Sequence, residues 1–178
     1  MSVQAIKQKS FGVQNQMLEI KLREDLILLL DDQDIWVVER YSLVADRRGS
    51  TWYVRAQEKG AGAARKPKHY LHRLLMGFPE GMDVDHRDGN GLNNLRSNLR
   101  IATRTQNSLN RDRSSTNSSG YKGVFWNAQR GKWYARLTVG GIGRKRGYFA
   151  TPEGAARAYD QLVTAHAAEF GRLNAAER

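Results

Sequence analysis

The sequence predicts a mixed α+β fold in two parts, and three observations carry that expectation. Strand-like runs and helix-like runs occur in both halves of the chain. Residues 111–120, RDRSSTNSSG, hold no apolar side chain and read as a flexible linker. Basic residues run unopposed only after that stretch, so the two parts differ in electrostatic character. The 178 residues suffice for one medium domain or two small ones, and 40% hydrophobic content with three Pro excludes a mostly disordered chain.

Taken in order, MLEIKL (17–22) and LILLL (26–30) are apolar enough for two short strands. DDQDIWVVERY opens with capping Asp residues and predicts a short helix. TWYVRAQ alternates as a strand does, and GAGAARK (60–66) reads as the turn after it. In HYLHRLLMGF, Tyr70, Leu71, Leu74 and Leu75 recur at helical spacing. Asp88, Gly89 and Asn90 signal a turn, and TRTQ (103–106) is a capping box that opens a helix carrying Asn107. Beyond the linker, GVFWN, KWYARLTV and a run near RKRGYF read as three strands, with Gln129, Arg130 and Gly131 in the first turn. Thr151 caps a final helix, Pro152 suits its first position and Gly171 its end. Ala155, Tyr159, Leu162, His166 and Phe170 form its apolar stripe, with His166 a packed residue and not a ligand. A three-stranded antiparallel sheet packed on one helix follows, because the sheet's apolar face needs a cover. On the second strand, Trp133, Ala135, Leu137 and Val139 share the packed face while Tyr134, Arg136 and Thr138 share the other.

Charge narrows the function. The net charge of +11 and pI near 10.2 point to a polyanionic partner. Residues 1–66 carry 11 basic and 9 acidic side chains and residues 67–112 carry 7 and 5, whereas residues 113–178 carry 11 and 4. Interleaved with those cations are Tyr121, Phe125, Trp126, Trp133, Tyr134 and Tyr148, as on a surface that meets phosphates and base edges. With no Cys there is neither a disulfide framework nor a thiolate metal site, and no apolar run reaches the roughly 18 residues needed to span a bilayer. MSVQAIKQKS lacks an apolar signal core, and these features suit an intracellular setting.

The run DVDHRDGN (83–90) sets one His among three carboxylates. Two readings stand side by side. In one, Asp83, Asp85 and His86 only satisfy one another in a turn. In the other, Asp85 holds a divalent cation and His86 takes a proton from water that attacks a phosphodiester. Carboxylate and amide oxygens suit a hard ion such as Mg²⁺ that keeps most of its waters. His69 and His72 are competing imidazoles on a segment that mainly packs.

HRLLMGFPEGMDVDHRDGNGLNNLRSNLRIATRTQNSLNR resembles the phage-type HNH homing endonucleases in its HRL helix, DH pair, mid-loop Asn followed by Leu, and helical Asn. The resemblance implies a ββα-metal module over residues 67–110, with Asp85 and Asn107 as ligands to Mg²⁺ or Mn²⁺, His86 as general base and Asn98 orienting its imidazole. Residues 1–66 resemble the N-terminal segment such enzymes carry. Residues 121–174, through YKGVFWN, GKWYARL, GYF, AARAYD and a late LN, are similar to the Apetala-2/ethylene-response-factor DNA-binding domain, though Phe125, Arg136 and Thr138 depart from its plant members. That similarity implies Lys122, Asn127, Arg136 and Thr138 facing duplex DNA, with Lys132 and Lys145 at phosphates. The expected whole is a monomeric, cytoplasmic, metal-dependent endonuclease of a phage-infected or bacterial cell. It uses no organic cofactor and no membrane, and the expected alternative is a non-catalytic DNA-binding regulator.

Overall fold

The computed structural model describes residues 5–7, 17–60, 68–111 and 116–174, so the turn GAGAARK and the middle of the 111–120 stretch fall largely outside the described residues. The chain divides into two compact units, Met1–Ala102 and Thr103–Arg178. No helix among the described residues is long and apolar enough to cross a membrane.

In the first unit, β2 (Met17–Arg23) lies antiparallel between β1 (Ala5–Lys7) and β3 (Leu26–Asp31). Alternation along β2 and β3 sends Leu18, Ile20, Leu28 and Leu30 into the core. Each fully buried Leu or Ile contributes about 1.5–3 kcal/mol by leaving water. The DDQD run forms a 3₁₀ turn (Asp32–Asp34) before α1 (Trp36–Arg40), but no Asp side chain caps either one. The predicted helix stops at Arg40, and Tyr41–Arg48 forms β4, a strand the sequence did not announce. It pairs along its full length with β5 (Thr51–Glu58), which pairs in turn with the short β6 (His69–Tyr70). The helix expected over HYLHRLLMGF therefore begins only after this strand, as α2 (Leu71–Leu75). A hairpin, β7 (Asp83–His86) with β8 (Leu99–Ala102), completes the unit. Val54, Leu71, Leu75, Val84, Leu92 and Leu99 share a core with β2 and β3, so residues 17–60 and the hairpin segment pack as one body.

The second unit opens with α3 (Arg104–Asn110), where the predicted capping box is formed: Gln106 N donates to Thr103 Oγ1 at 3.2 Å and Thr103 N donates to Gln106 Oε1 at 2.8 Å. Leu109 on α3 packs with Ala135, Leu137, Tyr159, Leu162 and Val163, which places this helix in the core of the C-terminal unit. At the end of the expected linker, Asn117 ties a turn by accepting from Ser119 N and Gly120 N and donating to Tyr121 O. The sheet follows as β9 (Val124–Asn127), β10 (Lys132–Val139) and β11 (Ile142–Phe149), antiparallel with β10 central, covered by α4 (Pro152–His166). Thr151 caps α4 as predicted, accepting from Gly154 N at 3.2 Å. The helix ends at His166 instead of near Gly171, and His166 is exposed, so Val163 takes the place in the stripe expected for it. Gly123 sits at φ +69° against the Tyr159 ring, where a β-carbon would come within 2.0 Å of ring carbons.

Candidate functional site

DVDH is strand β7 and not the turn in which Asp83, Asp85 and His86 would satisfy one another. Successive strand side chains alternate, so Asp85 and His86 leave β7 on opposite sides. Asp85 faces Arg100, its register partner on β8, and its Oδ2 accepts from Arg100 Nε at 2.8 Å and Nη2 at 2.6 Å, both residues being buried. His86, 5% exposed, enters an aromatic cluster instead. Its ring lies 4.8 Å from His72, edge-on, and 5.9 Å from Tyr53, which also contacts His72 and Tyr70. Burial lowers the pKa of His86, opposed by the Asn94 side chain and by Asp88 and Asp85. Burial pushes His72 down to about 3, assisted by His86 and Arg73. Both imidazoles are therefore neutral at neutral pH. His69 packs edge-on against Phe78 at 5.0 Å.

The loop between β7 and β8 is built from its Asn and Asp side chains. Asn98 closes its base: its Oδ1 accepts from Asp88 N at 3.1 Å, and its Nδ2 donates to Asp88 Oδ1 at 3.0 Å and Asn93 O at 2.8 Å. Strand β3 grips the middle of the loop, with Leu29 N donating to Leu92 O and Asn94 N donating to Leu29 O, each at 2.9 Å. Arg96 makes a two-pronged pair with Asp34, Nε and Nη2 each at 2.8 Å, and its backbone N donates to Asp31 Oδ2 at 2.7 Å. The two carboxylates that resembled helix caps hold this loop instead.

Asp85, His86 and Asn98 thus share one hairpin, and Asn107 lies half-buried on α3, in the second unit. Among the described residues no group of three or more His, Cys, Asp or Glu is placed to hold a metal ion. Asp85 and Asn107 offer a carboxylate and an amide oxygen, the donor chemistry of a hard ion that keeps most of its waters. Sequence reasoning missed these roles of Arg100, Tyr53, Asp31 and Asp34, because they depend on strand register and on contacts up to 65 positions apart.

In the second unit the outer face of β10 is as predicted: Ala135 and Leu137 are buried, and Lys132, Arg136 and Thr138 are exposed. Arg136 pairs in register with Lys145 and lies across Gly143 of β11. Lys145 Nζ donates to Tyr148 Oη at 2.6 Å and sits 4.1 and 4.3 Å over the Tyr134 and Tyr148 rings. Phe125 stacks on Tyr134 at 5.7 Å and is 46% exposed. Asn127 shapes the turn, its Oδ1 accepting from Arg130 N at 2.9 Å. Lys122 differs from the expectation: its ammonium donates to the carbonyls of Leu109 and Arg111, so it fastens the end of α3 within the unit instead of projecting from the sheet.

Residues 69–109 match the family model of the HNH endonucleases. Protein 3.8 of Escherichia phage T7 is 41% identical over 64 residues, covering 36% of this chain and 53% of that protein. An uncharacterised HNH endonuclease of Acanthamoeba polyphaga mimivirus is 34% identical over 113 residues, covering 60% of this chain and 58% of that one. The chain thus spans little more than half the length of these relatives. No solved structure matches it.

Proposed function

We propose, from the HNH match and the hairpin it covers, that the chain is a metal-dependent endonuclease of homing type. It hydrolyses a phosphodiester of duplex DNA at a site selected by the C-terminal unit. The observation that carries this reading is His86, a neutral imidazole at the end of β7, next in sequence to Asp85 and inside the matched segment. A neutral imidazole can take the proton of an attacking water, and a base of this kind contributes about 10²–10⁴-fold. Asp85 and Asn107 are the residues that would hold Mg²⁺ or Mn²⁺. Such an ion supplies positive charge at the scissile phosphate and the leaving oxygen. Arg100 fixes the Asp85 carboxylate from the neighbouring strand. Asn98 keeps the loop closed, so His86 and Asp88 stay in register. One such site acts on one phosphodiester at a time, so a monomer nicks.

A non-catalytic DNA-binding regulator is the second reading, favoured by the Asp85 carboxylate being already paired with Arg100. Supercoiled-plasmid nicking separates the two. With Mg²⁺ the full chain should produce open circles, His86→Ala should lose about 10²–10⁴-fold in rate while still binding DNA, and Asp85→Ala should need more Mg²⁺. Wild-type chain that binds the plasmid but leaves it supercoiled with both Mg²⁺ and Mn²⁺ would establish the regulator.

A further inference from the structure

The sheet of the C-terminal unit has two sides, and β11 carries cations on both. Register pairs Arg136 with Lys145 on the exposed side, and buried Ala135 with Arg146 on the side that α4 covers. Arg144 pairs with buried Leu137 and so shares the side of Arg146. Where β11, an outer strand of the sheet, meets α4, there is a groove of about 330 Å³. It is lined by Arg146, Phe149, Gly154, Arg157, Ala158 and Gln161. Ligand sites range over about 300–1,000 Å³, so this groove suits a small group and not a large one.

The groove sets two guanidiniums over an apolar floor. Gly147, at φ +55°, lets the Phe149 ring lie against the backbone, since a β-carbon there would stand 2.7 Å from Cζ. Arg146 and Arg157 are exposed, and among the described residues no ion pair joins either one to a carboxylate. Carboxylates are within reach along α4. Glu153 stands four positions before Arg157 and Asp160 three after it, the spacings at which helix side chains meet. Both are turned elsewhere: Glu153 accepts from Tyr121 Oη at 3.5 Å, and Asp160 Oδ1 accepts from Asn174 N at 2.8 Å and Nδ2 at 3.2 Å. The enclosed Nε of Arg144 also has no hydrogen-bond partner among the described residues, a condition that buried donors rarely show. This side of β11 is thus short of acceptors, and an external anion complements it.

The dimensions of the sheet say which anion. Neighbouring strands lie about 4.8 Å apart, so three strands span about 10 Å, against about 12 Å for the major groove of duplex DNA. A sheet laid in that groove by the exposed face of β10 brings its outer strands to the groove walls, which are phosphodiester backbone. We propose that the groove between β11 and α4 holds one phosphodiester of the strand that walls the major groove beside β11. Arg146 from the strand and Arg157 from the helix donate to its non-bridging oxygens, while Phe149 and Ala158 pack on the adjoining deoxyribose. The assignment rests on the reading that the C-terminal unit binds duplex DNA. It adds a role for α4, which then fixes the orientation of the unit on the duplex besides covering the sheet.

The test measures binding of the full-length chain to a selected duplex across a range of salt concentrations, for the wild type, Arg146→Gln, Arg157→Gln and the double variant. Melting temperatures check that each variant is folded. Because both arginines hold one phosphate, the double variant should lower the salt slope by about one ion, whereas separate phosphates would lower it by about two. A methylphosphonate placed at each backbone position in turn should find one position where the wild type loses affinity and the double variant loses none further. A loss of affinity with no such position would make the arginines a diffuse charge and overturn the site, as would wild-type affinity and slope in the double variant. If inorganic phosphate raises the melting temperature of the wild type but not of a double variant that binds duplex normally, the groove takes small free phosphates and not DNA. Arg136→Ala and Lys132→Ala separate this outcome from the wider reading. With those two impaired and the double variant unimpaired, only the groove assignment fails; with none of them impaired, the C-terminal unit is not the DNA reader.

Discussion

Burial sets the charge state of the histidines in the first unit, and that has a consequence for stability. His72 is 8% exposed, and burial holds it near 3, against 6.5 for the free side chain. Between those values the unfolded chain binds a proton that the folded chain refuses, so acid favours unfolding. The contribution is fully present above about pH 6.5 and is lost as pH falls towards 3, at about 1.4 kcal/mol per pH unit for each such group. His86 is shifted in the same direction and adds to the slope. Urea midpoints measured from pH 7 to pH 4 should therefore fall steadily, and His72→Gln should flatten the curve by about one proton's worth. An unchanged slope in that variant would place the acid sensitivity elsewhere. From the sequence His72 was legible as a competing imidazole on a packing segment, but not as a buried one. Its enclosure by Tyr53, Tyr70 and His86 depends on the pairing of β6 with β5, and a two-residue strand leaves no periodic trace.

At the scale of elements, the strands with a clear apolar period were legible: β2, β3, β5 and β10 stand where the pattern placed them, as do the capping box of α3 and the N-cap of α4. What was not legible is how the loop after β7 is held, because its fixings are long-range. Asp34 read as a local capping residue, yet it is almost wholly buried and pairs with Arg96, 62 positions away. β4 was missed for a related reason, since YSLVADRR mixes charges into a strand whose partner is only the neighbouring β5. The Asp34–Arg96 pair gives a test at this scale. Arg96→Met leaves a buried carboxylate short of two donors, which should cost about 1–3 kcal/mol in stability and loosen the loop. Adding Asp34→Asn removes the stranded charge, so the double variant should recover part of the loss. Chemical denaturation of the two single variants and the double gives the coupling directly. Strict additivity would mean that the pair does not act as one fixing.

At the scale of the whole molecule, the two units differ in what they offer a polyanion. Residues 113–150 carry eight basic side chains and no acidic one, and the exposed face of β10 gathers Lys132, Arg136 and Thr138 beside Lys145. Charge alone would make every one of these a phosphate contact, but their settings differ. Arg136 is central on β10 and lies flat across Gly143, where the absence of a side chain leaves the guanidinium unobstructed. A guanidinium so placed can make two hydrogen bonds to a guanine edge, a pair worth about 1–3 kcal/mol of discrimination. Lys132 is at the start of β10, next to the turn and opposite Asn127, where an ammonium meets backbone charge more readily than base edges. Arg136→Ala should accordingly relax preference at one base pair, whereas Lys132→Ala should weaken binding to all sequences alike and reduce the salt slope by about one ion. Affinities for a panel of single-base variants of a selected site, at two salt concentrations, distinguish the two patterns. A uniform loss across the panel for Arg136→Ala would make Arg136 another phosphate contact and leave base reading to the neighbouring Phe125, Tyr134 and Tyr148, whose rings line the same face.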